Sequence, residues 1–365
     1  MRTIKSLVTH RFPHLDEIFA IWLLKNFGGE RFEGIANATI EYWESGGVTP
    51  DGRTAEEWEA DGYLLVGVGG GRFDEHPTAT QERKDGDCAA TLVAKYMGII
   101  DEPWLQTTMD FIVRDDLKGS ASQFDIGAIA KLLHQQYPND PDAAIEWVMI
   151  GLGAKINEQI SFWKDARQEF EDGAKTKIET TPGPRGEDIR IAVIRSDNPQ
   201  VGKYARFSQG GNAQVVVQQR STGNVQIFTE HRSGITLYET ARLIRLEEQD
   251  MNERIVTTDW DELEAEGVVV GAENWFFQEH GMMLLNGSLT ALGVAPTKIP
   301  LDTIVRLIKV AMNQNDFQRD RAAECRQGIC GSTHQDECPW YYMGLKRCRR
   351  NLFNTRTQTR TANGR

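Results

Sequence analysis

Residues 6–29 read SLVTHRFPHLDEIFAIWLLKNFGG, and three signals follow one another in that stretch. SLVTH is a short run of strand-forming residues. LDEIFAIWLLKNF places apolar residues on nearly every helical face, so it reads as a buried helix, stopped by Gly28 and Gly29. Between the two, His10, His14, Asp16 and Glu17 fall within eight residues of a chain that has seven histidines in all. This polar run is either a metal site at the carboxyl end of a strand or a polar turn leading into the helix.

The same alternation continues outward. ATIEYW is a second strand candidate, and YLLVGVGGG is a third, an apolar run of the kind buried in parallel sheets. DCAATLVAKYMG reads as a helix with Asp87 placed to cap it and Gly98 to end it. Strands alternating with helices imply an α/β protein, here a mainly parallel sheet flanked by helices over residues 1–125. Residues 126–179 read as a helical connector, and TTPGPRGED over 180–188 as a linker. A second, smaller α/β domain is expected over 188–315, with a hairpin turned at Thr222, Gly223 and Asn224. A Cys-rich module over 323–350 and a basic tail over 351–365 complete the chain.

A length of 365 residues accommodates two ordinary domains. No segment approaches 18 uninterrupted apolar residues, and the N-terminus lacks the apolar core of a secretory signal. A cytoplasmic protein without a membrane span is the expectation, and a homo-oligomer is compatible with it. The net charge of −12 argues against coating nucleic acid by general electrostatics. The charge is uneven, however: residues 339–365 hold seven Lys or Arg and no acid, which leaves −19 on the rest. An acidic body with a basic end suggests either a polyanionic partner at that end or a solvated tail.

His10, His14 and Asp16 bring imidazole and carboxylate donors around one turn, a set that suits Mn, Fe or Zn better than Ca. A zinc metalloprotease is excluded, because Arg11 stands where that motif needs Glu and Pro13 opposes a helix there. VGVGGGRFDEHP offers glycines for a sharp turn and then Asp74, Glu75 and His76. Its glycines do not form a dinucleotide fingerprint. MDFIVRDDLKG ends an apolar stretch with Asp115 and Asp116, a pair that reads as a loop.

Taken in order, these elements resemble the DHH phosphoesterase superfamily, and most closely its melanocyte-proliferating-gene branch of metal-dependent hydrolases and exonucleases. THRFPHLDE is similar to that branch's T-H-N-G-x-F-H-x-D-E motif with one residue fewer, VGVGG to V-D-V-G-G, and RFDEH to R-Y-D-H-H. CAATLVAKYMG matches its small-residue helix start, and RDDLKG is a looser counterpart of D-x-x-D-N-G. The resemblance covers about the first 120 residues. It implies divalent metal, usually Mn2+, that activates water against a phosphorus. It would place His10 and Asp16 on one metal, with His14 facing a second and Asp115 as the last ligand. Asp74 and His76 would fix the site and hold the phosphate. Two departures stand out: the metal-bridging aspartate of V-D-V-G-G is Gly67 here, and the first His of D-H-H is Glu75, which can still ligate. The site then holds one metal, recruits another carboxylate such as Asp74, or is inactive.

The superfamily's glycine-rich G-G-G-H segment has no counterpart here. His231, Arg232 and His280 are the nearest candidates for holding phosphate oxygens in the second domain. In the tail, Cys325, Cys330, Cys338 and Cys348 suit one Zn2+, one iron–sulfur cluster, or neither. Trp340, Tyr341 and Tyr342 beside Lys346, Arg347, Arg349 and Arg350 combine stacking faces with cations, as single-strand binders do, or else pack a small metal core beside solvated arginines. The leading expectation is a metal-dependent phosphodiesterase, acting as an exonuclease on RNA or single-stranded DNA. The alternatives are hydrolysis of a small phosphorylated metabolite or nucleotide, or nucleic-acid binding over a degenerate site.

Overall fold

Strand β1 (Ser6–His10) is the central strand of a three-stranded sheet, which explains why Ser6–Thr9 are buried. The computed structural model describes residues 3–44, 49–77, 86–119, 122–183, 186–257, 259–288 and 290–312. The chain divides into two units, residues 1–163 and 164–365.

In the first unit, β1 leads into α1 (Leu15–Phe27), followed by β2 (Thr39–Trp43), α2 (Ala55–Ala60) and β3 (Tyr63–Leu65). Then come α3 (Ala89–Met97), α4 (Pro103–Lys118), α5 (Ile126–Gln136) and α6 (Pro141–Ile160). The strand order is β2-β1-β3, and both pairings are parallel, with Ser6 opposite Thr39 and Tyr63. Helix α1 is buried from Leu15 through Leu24, as its all-round apolar sequence requires, and it packs on α3, α4 and α6. Each of its large apolar side chains contributes roughly 1.5–3 kcal/mol by leaving water.

Two local expectations change. Cys88, not Asp87, is the N-cap of α3; Asp87 instead accepts the Thr91 hydroxyl and the Lys95 ammonium. Asp115 and Asp116 lie in the last turn of α4, not in a loop. The buried residues Trp104, Leu105, Thr108, Met109, Ile112 and Asp115 recur at helical spacing, and Gly119 ends the helix at φ +55°.

Residues 126–179 are not one helical connector. Ala130 of α5 and Ile145, Val148, Leu152 and Ile156 of α6 share the core of α1 in the first unit. The second unit begins with α7 (Arg167–Glu171), β4 (Thr176–Pro182), β5 (Asp188–Arg195), α8 (Pro199–Arg206), β6 (Val215–Gln219) and β7 (Val225–Thr229). It continues with α9 (Tyr238–Met251), α10 (Trp260–Glu264), β8 (Gly267–Val269), β9 (Ala272–Phe277), β10 (Met283–Leu285) and α11 (Leu301–Met312).

Its mixed sheet has seven strands in the order β4-β5-β6-β7-β10-β9-β8, against three in the first unit's sheet. Only β5 and β6 pair in parallel; every other pairing is antiparallel. The segment 180–188 is not a linker, because Thr180–Pro182 belong to β4 and pair with Arg190–Asp188 of β5. The hairpin at Gly223 forms between β6 and β7 as expected.

Two buried charges of α9 are held by hydrogen bonds. Arg245 is fully buried and donates to the carbonyls of Leu263, Ala265, Gly267 and Trp275. Glu248 accepts from the side chains of Asn274, Trp275 and Thr297.

No helix among the described residues is long and apolar enough to cross a membrane. The expected Cys-rich module, with Cys325, Cys330, Cys338 and Cys348, lies outside the described residues, as do Arg347, Arg349 and the basic tail.

Candidate metal centre

The carboxyl end of β1 and the amino end of α1 meet over four residues. His10 closes the strand, and His14 is the N-cap of α1. Glu17, at the third helical position, turns back and accepts the His14 backbone N–H through Oε2 at 2.6 Å. Its other oxygen lies 3.1 Å from His10 Nε2. This reciprocal cap is why His-x-x-Glu folds as it does, and it carries a buried carboxylate onto the first histidine.

Asp16 lies beside Glu17 and reaches the start of α3. Its Oδ2 accepts the Ala89 N–H at the start of α3 at 3.1 Å, and its Oδ1 is buried without a hydrogen-bond donor. A ligating atom of Asp16 lies within 4.8 Å of one on His14 and one on Asp116. His10, His14 and Glu17 form a second such group, and Asp74, Glu75 and His76 a third.

The third group hangs on the glycine turn after β3. Gly69 and Gly70 have φ of +71° and +69°, a conformation that suits glycine. The turn lets the Gly70 N–H donate to Asp74 Oδ2 at 2.8 Å, while Asp74 Oδ1 holds the His76 ring at 2.9 Å. Glu75 Oε1 lies 3.6 Å from the same ring nitrogen, and Glu75 Oε2 is buried with no donor.

Gly67 has a particular relation to Glu17. A Cβ at Gly67 would sit 2.5 Å from Glu17 Cγ and 2.9 Å from Oε1. Position 67, where the resemblance implies a carboxylate, therefore lies under the carboxylate of Glu17.

Electrostatics follow from packing acids together out of water. Burial, with Glu17 and Asp116 adding repulsion, raises Asp16 well above the ordinary carboxylate range. Burial likewise pushes Glu17 up to about 7 and raises Glu75. Burial lowers His10, and His76 adds to the effect, which favours the neutral imidazole that can ligate. Carboxylates held at this cost and left without donors, beside neutral imidazoles, are suited to a divalent cation.

The structure thus gathers His10, His14, Asp16, Asp74, Glu75 and His76. Asp115 falls outside these groups: it is buried against α5, where a Cβ at Gly127 would sit 2.4 Å from its Oδ2. Asp116 takes the place expected for it. Glu17 and Asp116 are the residues that sequence reasoning passed over. The capping-box spacing signalled the first, and the helical period of α4, which buries 112 and 115, signalled the second.

In the second unit, Arg232 lines a cleft of about 590 Å3 with Arg206, Glu230 and Ser233. His231 and His280 are exposed in short turns, and His280 has φ +66°.

No family model matches the chain, and no curated protein does. Among solved structures it is similar to an uncharacterized protein from Helicobacter pylori G27, at 9% identity and a TM-score of 0.26. That alignment covers 85% of this chain and 99% of the other. At that score the likeness bears on neither fold nor function.

Proposed function

We propose that the first unit is a divalent-metal-dependent phosphoric ester hydrolase, with Mn2+ the leading metal and a divergent DHH-type site. One observation carries the reading: Asp16 Oδ1 and Glu75 Oε2 are buried without donors, in groups that also hold His14, Asp116, Asp74 and His76. His10, His14, Asp16, Glu17, Glu75 and Asp116 would hold the cation. Bound there, it supplies an acidified water and a positive charge for a phosphoryl oxygen. Asp74 orients the exposed His76 ring through Nδ1, leaving the other ring nitrogen for a phosphate oxygen or a leaving-group proton. Glu17 orients His10, which burial keeps toward the neutral form.

The substrate we propose is an RNA or single-stranded DNA end, with a small phosphorylated metabolite as the alternative. The tail cysteines and arginines, on this reading, add a zinc or iron–sulfur module and a strand-binding surface. The test is metal analysis of the purified chain, then Mn2+-dependent cleavage of end-labelled oligonucleotides beside small phosphate esters. The expected result is stoichiometric metal and hydrolysis that both disappear in His10→Ala/Asp16→Ala. Unchanged metal content in that variant would sink the site.

A further inference from the structure

In the second unit, β5 and β6 run parallel and are joined through α8, with Arg195 opposite Gln219 at their carboxyl ends. The carboxyl ends of adjacent parallel strands are where open α/β sheets take ligands. Here they border a cleft of about 480 Å3, a volume suited to a small molecule. Its lining carries three cations, Lys175, Arg195 and Arg220, against two acids, Glu169 and Asp197, in a chain whose net charge is −12.

Both acids are already engaged. Glu169 accepts the Ser196 hydroxyl at 2.5 Å and lies 3.5 Å from Lys175 Nζ. Asp197 accepts the Ser221 N–H at 3.1 Å and Arg220 Nε at 3.4 Å. The cations are less well served. Arg220, whose side chain is only 18% exposed, has that one long contact, and Arg195 is exposed with no partner among the described residues. Two guanidinium groups that share a cleft, one with a single long acceptor contact and one with none among the described residues, match the oxygens of a phosphate.

We propose that this cleft binds a small-molecule phosphate ester through Arg195 and Arg220. It does not depend on the metal centre of the first unit, and the test keeps the two apart. The full chain, treated with EDTA, is titrated calorimetrically with AMP, ribose 5-phosphate and adenosine. Saturable binding of AMP and none of adenosine is expected. Ribose 5-phosphate binding as tightly as AMP assigns recognition to the sugar phosphate, and tighter AMP adds the base; both support the cleft.

Arg195→Ala should weaken AMP by about tenfold or more, the scale of a charge-assisted hydrogen bond. It should leave the melting temperature unchanged, because the side chain it removes is exposed and unpaired. Asp16→Asn, at the metal centre, should leave AMP binding intact. Failure of both phosphates to bind, equal binding of adenosine, or an Arg195→Ala affinity equal to wild type overturns the proposal. Loss of AMP binding in Asp16→Asn overturns it as well, by moving the ligand to the first unit.

Discussion

Glu17 lies over Gly67, with its Cγ 2.5 Å from where a Cβ on that glycine would be. The two residues therefore exclude one another: a side chain at 67 and the inward rotamer of Glu17 cannot coexist. Gly67 is thus not simply a position that lacks a carboxylate. Its missing side chain is the space in which Glu17 reaches His10.

We predict that Gly67→Ala costs about 1–3 kcal/mol, because Ala is strained at the φ of +68° found there and also meets Glu17. Urea unfolding measures the cost. Adding Glu17→Ala should recover the steric part but not Mn2+ affinity. A Gly67→Ala protein as stable as wild type would show that Glu17 does not occupy this space.

Asp16 is buried among acids, so without metal its charge opposes folding. Asp16→Asn keeps an acceptor for the Ala89 N–H and removes that charge. We predict a metal-free protein more stable by roughly 1–3 kcal/mol at pH 8, yet with no further stabilisation by Mn2+. A variant less stable than wild type under both conditions contradicts the account.

Metal affinity should depend on pH through Glu17. With the group pushed up to about 7, protons compete with the cation below that value and no longer do so above it. We therefore expect Mn2+ affinity to rise by as much as about tenfold per pH unit up to about 7 and then flatten. Glu17→Gln should bind more weakly and lose that part of the slope. Titrations between pH 5.5 and about 8.5 decide it.

The adjacent acids of α4 provide a sharper test of geometry than the histidines do. Asp116→Asn removes a member of a ligand group, whereas Asp115→Asn alters a side chain packed on Gly127. We predict a loss of Mn2+ affinity of about tenfold or more for the first, in line with removal of a charged contact. The second should act mainly on stability. The reverse ranking, measured by paramagnetic resonance, would return Asp115 to the site.

Much of the first unit was legible because its signals are local. Strand β1, the all-round apolar α1 and the glycine stops at Gly28 and Gly98 each follow from a few neighbouring residues. The three polar motifs were readable for the same reason, since each comes from one short stretch. What was not legible depends on packing between distant parts. Whether Asp115 or Asp116 faces the site is decided by the rotation of α4, and the edge strand β4 was hidden because TKIETTP needs its partner β5 to become a strand. The buried charges of α9 are of residue types that ordinarily face water. Only carbonyls 18 to 30 residues downstream make Arg245 an interior residue.

The order of the motifs along the chain has a consequence for biosynthesis. The residues that converge on the centre run from His10 to Asp116, and β1, made first, lies between two strands made later. A nascent chain that ends before α4 carries three histidines and several acids but lacks Asp116, which completes one of the groups. The complete centre therefore comes into being as a late event in synthesis of the first unit. On the proposed reading, a cation meets a folded pocket rather than the emerging peptide.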